Sequence, residues 1–80
     1  MITMYSTTWC GYCRRLKSQF EREGIAHTVV DIEHDEAAAR FVESVNGGNQ
    51  TVPTVVFDDG TALTNPSIRD VKRVLATVAS

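Results

Sequence analysis

The chain has two cysteines, and they stand two residues apart in Trp9-Cys10-Gly11-Tyr12-Cys13, where a strand pattern gives way to a helix pattern. Ile2-Thr3-Met4-Tyr5-Ser6 is a short strand-favouring run, and Cys13, Leu16, Lys17 and Phe20 then recur at helical offsets until Gly24. Cys10 therefore falls at or just before a helix N-terminus. Unpaired backbone N–H groups and the positive end of the helix macrodipole meet there, and both favour a negative sulfur over the neutral thiol. The thiolate is the reactive form, and a free cysteine is only a few per cent thiolate at pH 7. A stabilised thiolate also leaves readily from a mixed disulfide, which suits a site that picks up a thiol and passes it on. Cys13 lies about one turn further in, near enough to close a disulfide and the better covered of the two. The pattern is that of a dithiol redox site, with Cys10 as nucleophile and Cys13 as resolving or buried partner.

Other uses of the pair fit less well. A purely structural disulfide closing so small a ring would contribute only about 2 kcal/mol by loop entropy. Zinc needs four ligands, and one CxxC with the distant His27 and His34 does not supply the usual spacing, so no metal site is predicted. An iron-sulfur cluster shared between two chains through Cys10 stays open.

Eighty residues with 42% hydrophobic content predict one small α/β domain over residues 1–80, with a core near the lower limit of self-sufficiency. A net charge of −2 leaves no electrostatic footprint for nucleic acid or an anionic membrane. No apolar run reaches bilayer length and the N-terminus lacks a leader pattern, so the expectation is a cytoplasmic protein, where a CxxC is more often catalytic than structural.

The remaining elements follow in order. Ala26–Ile32 reads as a second strand, and the acidic Glu33-His34-Asp35-Glu36 suits the start of a second helix. That helix carries Ala38, Phe41, Val42 and Val45 on one face, taken as core, and stops at Asn46-Gly47-Gly48. Val55-Val56-Phe57 and Ala62-Leu63 flank Asp58-Asp59-Gly60, a hairpin signal. Asn65-Pro66 starts a last helix, with Pro66 at its first position and Ile68, Val71, Leu75 and Val78 facing inward. The result is βαβαββα, a four-stranded mixed sheet flanked by three helices. Arg14, Arg15 and Lys17 read as a solvated helix face, and His27 and His34 as solvent-facing.

Thr51-Val52-Pro53 is a second signal, a proline at the start of a strand. The order CxxC, helix, Thr-Val-Pro, hairpin, helix resembles the thioredoxin fold in its small glutaredoxin branch. The resemblance implies a cis Pro53 against the active-site sulfurs, and a Val52 that offers its backbone N–H and C=O to the amide of a bound thiol. It also places Thr51 and Tyr12 beside the substrate, while Trp9 either borders the site as a substrate-binding residue or packs.

Val30-Asp31-Ile32-Glu33-His34, Ser44-Val45-Asn46-Gly47-Gly48-Asn49 and Leu63-Thr64-Asn65-Pro66-Ser67, together with the two motifs above, narrow the resemblance to the mycoredoxins, actinobacterial glutaredoxin-like enzymes that use mycothiol. Glutathione-using relatives commonly carry a lysine shortly before the first cysteine, and a Gly-Gly pair with an acid just before the last helix. Thr7-Thr8-Trp9 and Thr61-Ala62-Leu63-Thr64-Asn65-Pro66 stand there instead, so the grips for glutathione's two carboxylates are missing. The resemblance implies a monomeric thiol-disulfide oxidoreductase with no bound cofactor and mycothiol as co-substrate. Its clients would be S-mycothiolated proteins, reduced at Cys10 by a monothiol route, with an NADPH-dependent mycothiol disulfide reductase downstream. The alternatives are a cluster-binding glutaredoxin and a dithiol redoxin that carries electrons from thioredoxin reductase to ribonucleotide reductase. The Trp-Ser-Gly-Phe-Arg-Pro segment usual in the latter is absent.

Overall fold

The computed structural model describes residues 1–78, the side chain of Val78 excepted. The expected inward orientation of Val78 lies outside the described residues. The elements run β1 (Ile2–Ser6), α1 (Gly11–Arg22), β2 (His27–Asp31), α2 (Glu36–Val45), β3 (Thr54–Val56), β4 (Ala62–Thr64) and α3 (Ile68–Val78). The four strands form one mixed sheet in the order β2-β1-β3-β4. β1 pairs parallel with β2 (Met4 with Val29) and antiparallel with β3 (Met4 with Val55), and β3 pairs antiparallel with β4 (Val55 with Leu63). This is the thioredoxin-like glutaredoxin fold that the sequence predicts.

The period-2 alternation of β1 divides the interior. Ile2 and Met4 point to one face and pack with Cys13, Leu16 and Phe20 of α1, Val71 of α3, Val55 and Phe57. Tyr5 points to the other, where Ile32, Ala38 and Val42 form a smaller cluster under α2. Val52 packs against both clusters, so the loop before β3 is wedged between them.

Three expectations are corrected. Phe41 and Val45 are not core: they are 37% and 39% exposed. A single helix covers that face of the sheet, so only the centre of its apolar stripe, Ala38 and Val42, is enclosed. Phe41 instead lies across Tyr5 at the rim, with ring centroids 5.3 Å apart. His27 is half-buried rather than solvent-facing. It shares its face of the sheet with Ile2 and packs at a tilt against Phe20, with ring centroids 5.1 Å apart.

The third correction concerns α3, which begins at Ile68 and leaves the buried Pro66 two residues ahead of it. Asn65 turns through a left-handed conformation (φ 47°), and Ser67 caps the helix. Ser67 Oγ accepts the Asp70 N–H at 3.1 Å and Asp70 Oδ2 accepts the Ser67 N–H at 3.1 Å, a reciprocal box that outweighs proline's preference for the first helical position. The Ser67 backbone N–H, and then its side chain, hold the Asp70 carboxyl below the ordinary carboxylate range. A carboxyl held low in the folded chain contributes stability above its unfolded pKa and loses it as pH falls through the folded one. Ser67→Ala is therefore expected to cost ~1 kcal/mol in a denaturant titration at neutral pH. Asp70→Asn should flatten the fall in thermal midpoint below about pH 4.

Candidate active site

The sheet brings four loops to one end. β1 and β2 are parallel, so Thr7–Cys10 and Glu33–Asp35 leave at the same end, where the Ile32 N–H still bonds to the Ser6 carbonyl at 3.0 Å. β3 runs antiparallel to β1, so Thr51–Pro53 enters there, and β4 delivers Asn65 there. Across that end the order is Glu33, Cys10, Val52, Asn65.

Cys10 is the N-cap of α1, with extended backbone (φ −81°, ψ 108°), and its Sγ accepts the Cys13 N–H at 3.1 Å. A serine or aspartate usually fills this role through oxygen; here the sulfur takes the free donor of the first turn. No acidic side chain stands in that turn to oppose a negative sulfur. Cys10 and Cys13 are joined as a disulfide with Cα atoms 5.2 Å apart. Both are buried, Cys10 at 4% exposure and Cys13 at 1%, so the expected difference in cover is slight in this oxidised form.

Thr7 Oγ1 is buried with no hydrogen-bond partner among the described residues, while the Thr7 carbonyl accepts the Cys10 N–H at 3.4 Å. Arg14 turns back to the Thr8 carbonyl (Nη1 at 3.3 Å) and Lys17 pairs with Glu21 at 2.9 Å, so these two helix cations are spent on local contacts.

Val52 stands opposite. Its carbonyl oxygen is 3.9 Å from Cys10 Sγ, and its N–H has no partner among the described residues, which leaves an open backbone edge beside the sulfur. The Val52–Pro53 bond is cis and Pro53 is buried. Thr51 is half-buried, and its carbonyl accepts the Thr54 hydroxyl at 2.8 Å. Trp9 and Tyr12 flank the cysteines and are each 68% exposed, so neither is a packing residue. Tyr12, Arg15 and Gln19 of α1 face Asn65, Pro66 and Ser67 across a cleft of about 310 Å³.

The sequence marks Asn46 as a helix end and as part of the Asn-Gly-Gly-Asn loop, and gives it no structural partner. Asn46 Nδ2 donates to the Val42 carbonyl (2.9 Å) and to Thr54 Oγ1 (3.0 Å), and Thr64 Oγ1 donates to Asn46 Oδ1. With the bond from Thr54 to Thr51, the end of α2 is thereby tied to the loop that presents Val52. The Asn65 N–H holds the same loop from the far side through the Pro53 carbonyl, at 2.7 Å. Thr54 is fully buried, so Thr54→Val strands the Thr51 carbonyl and an Asn46 amide proton without changing shape. We expect a loss of ~1–3 kcal/mol in the unfolding midpoint, with KM for a disulfide substrate rising more than kcat falls.

A cap sulfur in a CxxC, facing an open backbone edge before a buried proline, is the geometry of thiol-disulfide exchange. Residues 2–61 match the glutaredoxin family model. The chain belongs to the glutaredoxin family. Its members are thiol-disulfide oxidoreductases, and so is this protein. It is 59% identical over 78 residues to a Mycobacterium tuberculosis protein assigned as a glutaredoxin, across 98% of this chain and 93% of that one. It is 44% identical over 70 residues to mycoredoxin 1 of Corynebacterium glutamicum, across 88% and 86% of the two chains. The crystal structure of a glutaredoxin from Archaeoglobus fulgidus superposes with a TM-score of 0.77 at 25% identity, covering 92% of this chain and 84% of that one. Among the described residues no helix is long and apolar enough to cross a membrane.

Proposed function

We propose that this glutaredoxin reduces mixed disulfides between proteins and mycothiol, with Cys10 as the attacking sulfur and Cys13 dispensable for the monothiol route. Likeness to mycoredoxin 1 supports the choice of thiol. The observation that carries the reading is what stands around Cys10: an open Val52 edge for an amide, Thr8 and Trp9 in place of a lysine before the first cysteine, and Asn65 and Pro66 in place of a Gly-Gly pair before the last helix, with Arg15, among the described residues, the one cation lining the cleft beside them. The N–H groups of Ser67 and Asp70 are already bonded within the capping box.

In the first step the Cys10 thiolate attacks the mycothiol sulfur of the mixed disulfide. The bond between the client and mycothiol breaks, the client leaves as thiolate, and mycothiol is held on Cys10. A second mycothiol thiolate then attacks that sulfur and expels Cys10, giving oxidised mycothiol for an NADPH-dependent reductase. The Cys10–Cys13 disulfide is a side state reached when Cys13 attacks instead. No bound cofactor is required; the protein acts as a cytoplasmic monomer, on S-mycothiolated proteins.

The test is NADPH consumption with a mycothiol mixed disulfide, mycothiol and its reductase, beside parallel assays with glutathione and its reductase or with thioredoxin reductase alone. Turnover mainly in the first supports the reading. Turnover confined to glutathione, or to thioredoxin reductase, overturns it.

A further inference from the structure

Trp9 presents a contradiction in its surroundings. It is the largest apolar surface at the site and 68% exposed, yet its indole is pinned: Nε1 donates to Glu33 Oε2 at 3.0 Å, from the turn after β2. The loop that carries it is pinned too, by Arg14 on the Thr8 carbonyl and by the Cys10 N–H on the Thr7 carbonyl. The Glu33 turn is held in its turn by Asp31, whose Oδ1 accepts the Glu33 N–H at 2.9 Å. An exposed aromatic ring fixed in one orientation is a preorganised contact surface, because binding to it costs little further ordering.

The two ends of the site differ in charge. A ligand joined to Cys10 and paired with Val52 can extend toward β4, where Arg15, Gln19, Asn65 and Ser67 line the cleft, or toward β2, where Trp9 and Glu33 stand before the acidic Asp35 and Glu36. A carboxylate tail is repelled on the β2 side. A neutral polyol fits it. The C–H face of a pyranose ring is apolar and packs on an indole, while its hydroxyls need acceptors, and the second oxygen of Glu33 is such an acceptor.

We propose that Trp9 and Glu33 form a subsite for the sugar ring of a sugar-bearing thiol, Trp9 as the stacking surface and Glu33 as both its tether and an acceptor for a ring hydroxyl. This rests on the mycothiol reading above and assigns the part of the ligand that distinguishes that thiol from a peptide thiol. Glu33 thereby acts on selectivity without touching the sulfur.

Trp9 is the chain's single tryptophan, so its fluorescence reads the subsite directly. In the Cys10→Ser protein, which cannot take up a thiol at position 10, reduced mycothiol is expected to change Trp9 emission saturably, and N-acetylcysteine, which lacks the sugar, is not. In the active protein, Trp9→Ala is expected to lower kcat/KM for a mycothiol mixed disulfide roughly three- to tenfold more than for the N-acetylcysteine one. Glu33→Ala should reproduce part of that loss, and a smaller selective loss, that of the ring-hydroxyl acceptor, should persist once Trp9→Phe has removed the indole N–H. Both side chains are exposed, so unchanged unfolding midpoints will separate these effects from misfolding. Equal losses on both substrates, or an emission change of the same size with N-acetylcysteine, would overturn the subsite while leaving the functional reading intact. No turnover of the mycothiol substrate by the unaltered chain would overturn the reading and the subsite with it.

Discussion

Cys10→Ser is expected to lower turnover on the order of 10³-fold or more, to the background of the assay, while Cys13→Ser keeps activity within a few-fold of the parent. Both bond exchanges of the proposed monothiol route take place at the Cys10 sulfur, and a serine oxygen neither attacks a disulfide at neutral pH nor leaves from one. The group that steadies Cys10 is the backbone N–H of residue 13, at 3.1 Å, and a serine side chain there leaves that donor in place. Cys13→Ser also removes the competing intramolecular disulfide, so its rate at high mycothiol can match or exceed the parent's. Steady-state rates of the two variants check this, with mass spectrometry of the trapped Cys10 adduct in the Cys13→Ser protein. Equal dependence on both cysteines would require the dithiol route instead.

Phe20→Ala is expected to destabilise the domain by ~3–5 kcal/mol. Phe20 is fully buried and is the largest fully enclosed side chain, packed with Ile2, Met4 and Val71 and against the His27 ring. Small domains hold only about 5–15 kcal/mol in total, and each kcal/mol moves the melting temperature of a domain this size by about 4–8 °C. The variant is thus expected to melt at least 12 °C below the parent and to lie near its unfolding midpoint on warming. Calorimetry or a urea titration measures the change. A loss under 1 kcal/mol would mean that the α1 face of the core collapses around the deleted ring.

The sequence announces most of this fold because its strongest signals are local. Cys10 at a strand-to-helix boundary, the stop at Gly24 and the Asp-Gly hairpin each depend on a few neighbouring residues, and each appears where expected. Phe41 and Val45 show where periodicity ends. It finds the apolar face of α2 but not how much of that face a narrow sheet can cover. The start of α3 was a competition between two local rules, and the Ser67–Asp70 box, readable as Ser-x-x-Asp, prevailed over Pro66. At the site, both cysteines and the Val52-Pro53 step were visible as motifs. The link from Asn46 through Thr54 to Thr51 was not, since it joins the end of one element to the start of another through side chains whose partners no spacing rule names. Trp9 is visible in the sequence; that Glu33 restrains it is not.

The unequal division of the interior has a consequence for how the molecule breathes. β1, α1 and α3 share the large cluster, which holds both sulfurs, whereas α2 rests through Ala38 and Val42 on Ile32 and a few half-buried neighbours. Segments with fewer buried contacts open at lower free energy, so hydrogen exchange should release the α2 amides well before those of Thr3–Ser6. Because Asn46 ends α2 and holds the loop that presents Val52, an excursion of α2 would slacken the open Val52 edge while the cysteines stay packed. If the proposed thiol pairs with that edge, its binding would then damp the α2 fluctuations from a distance.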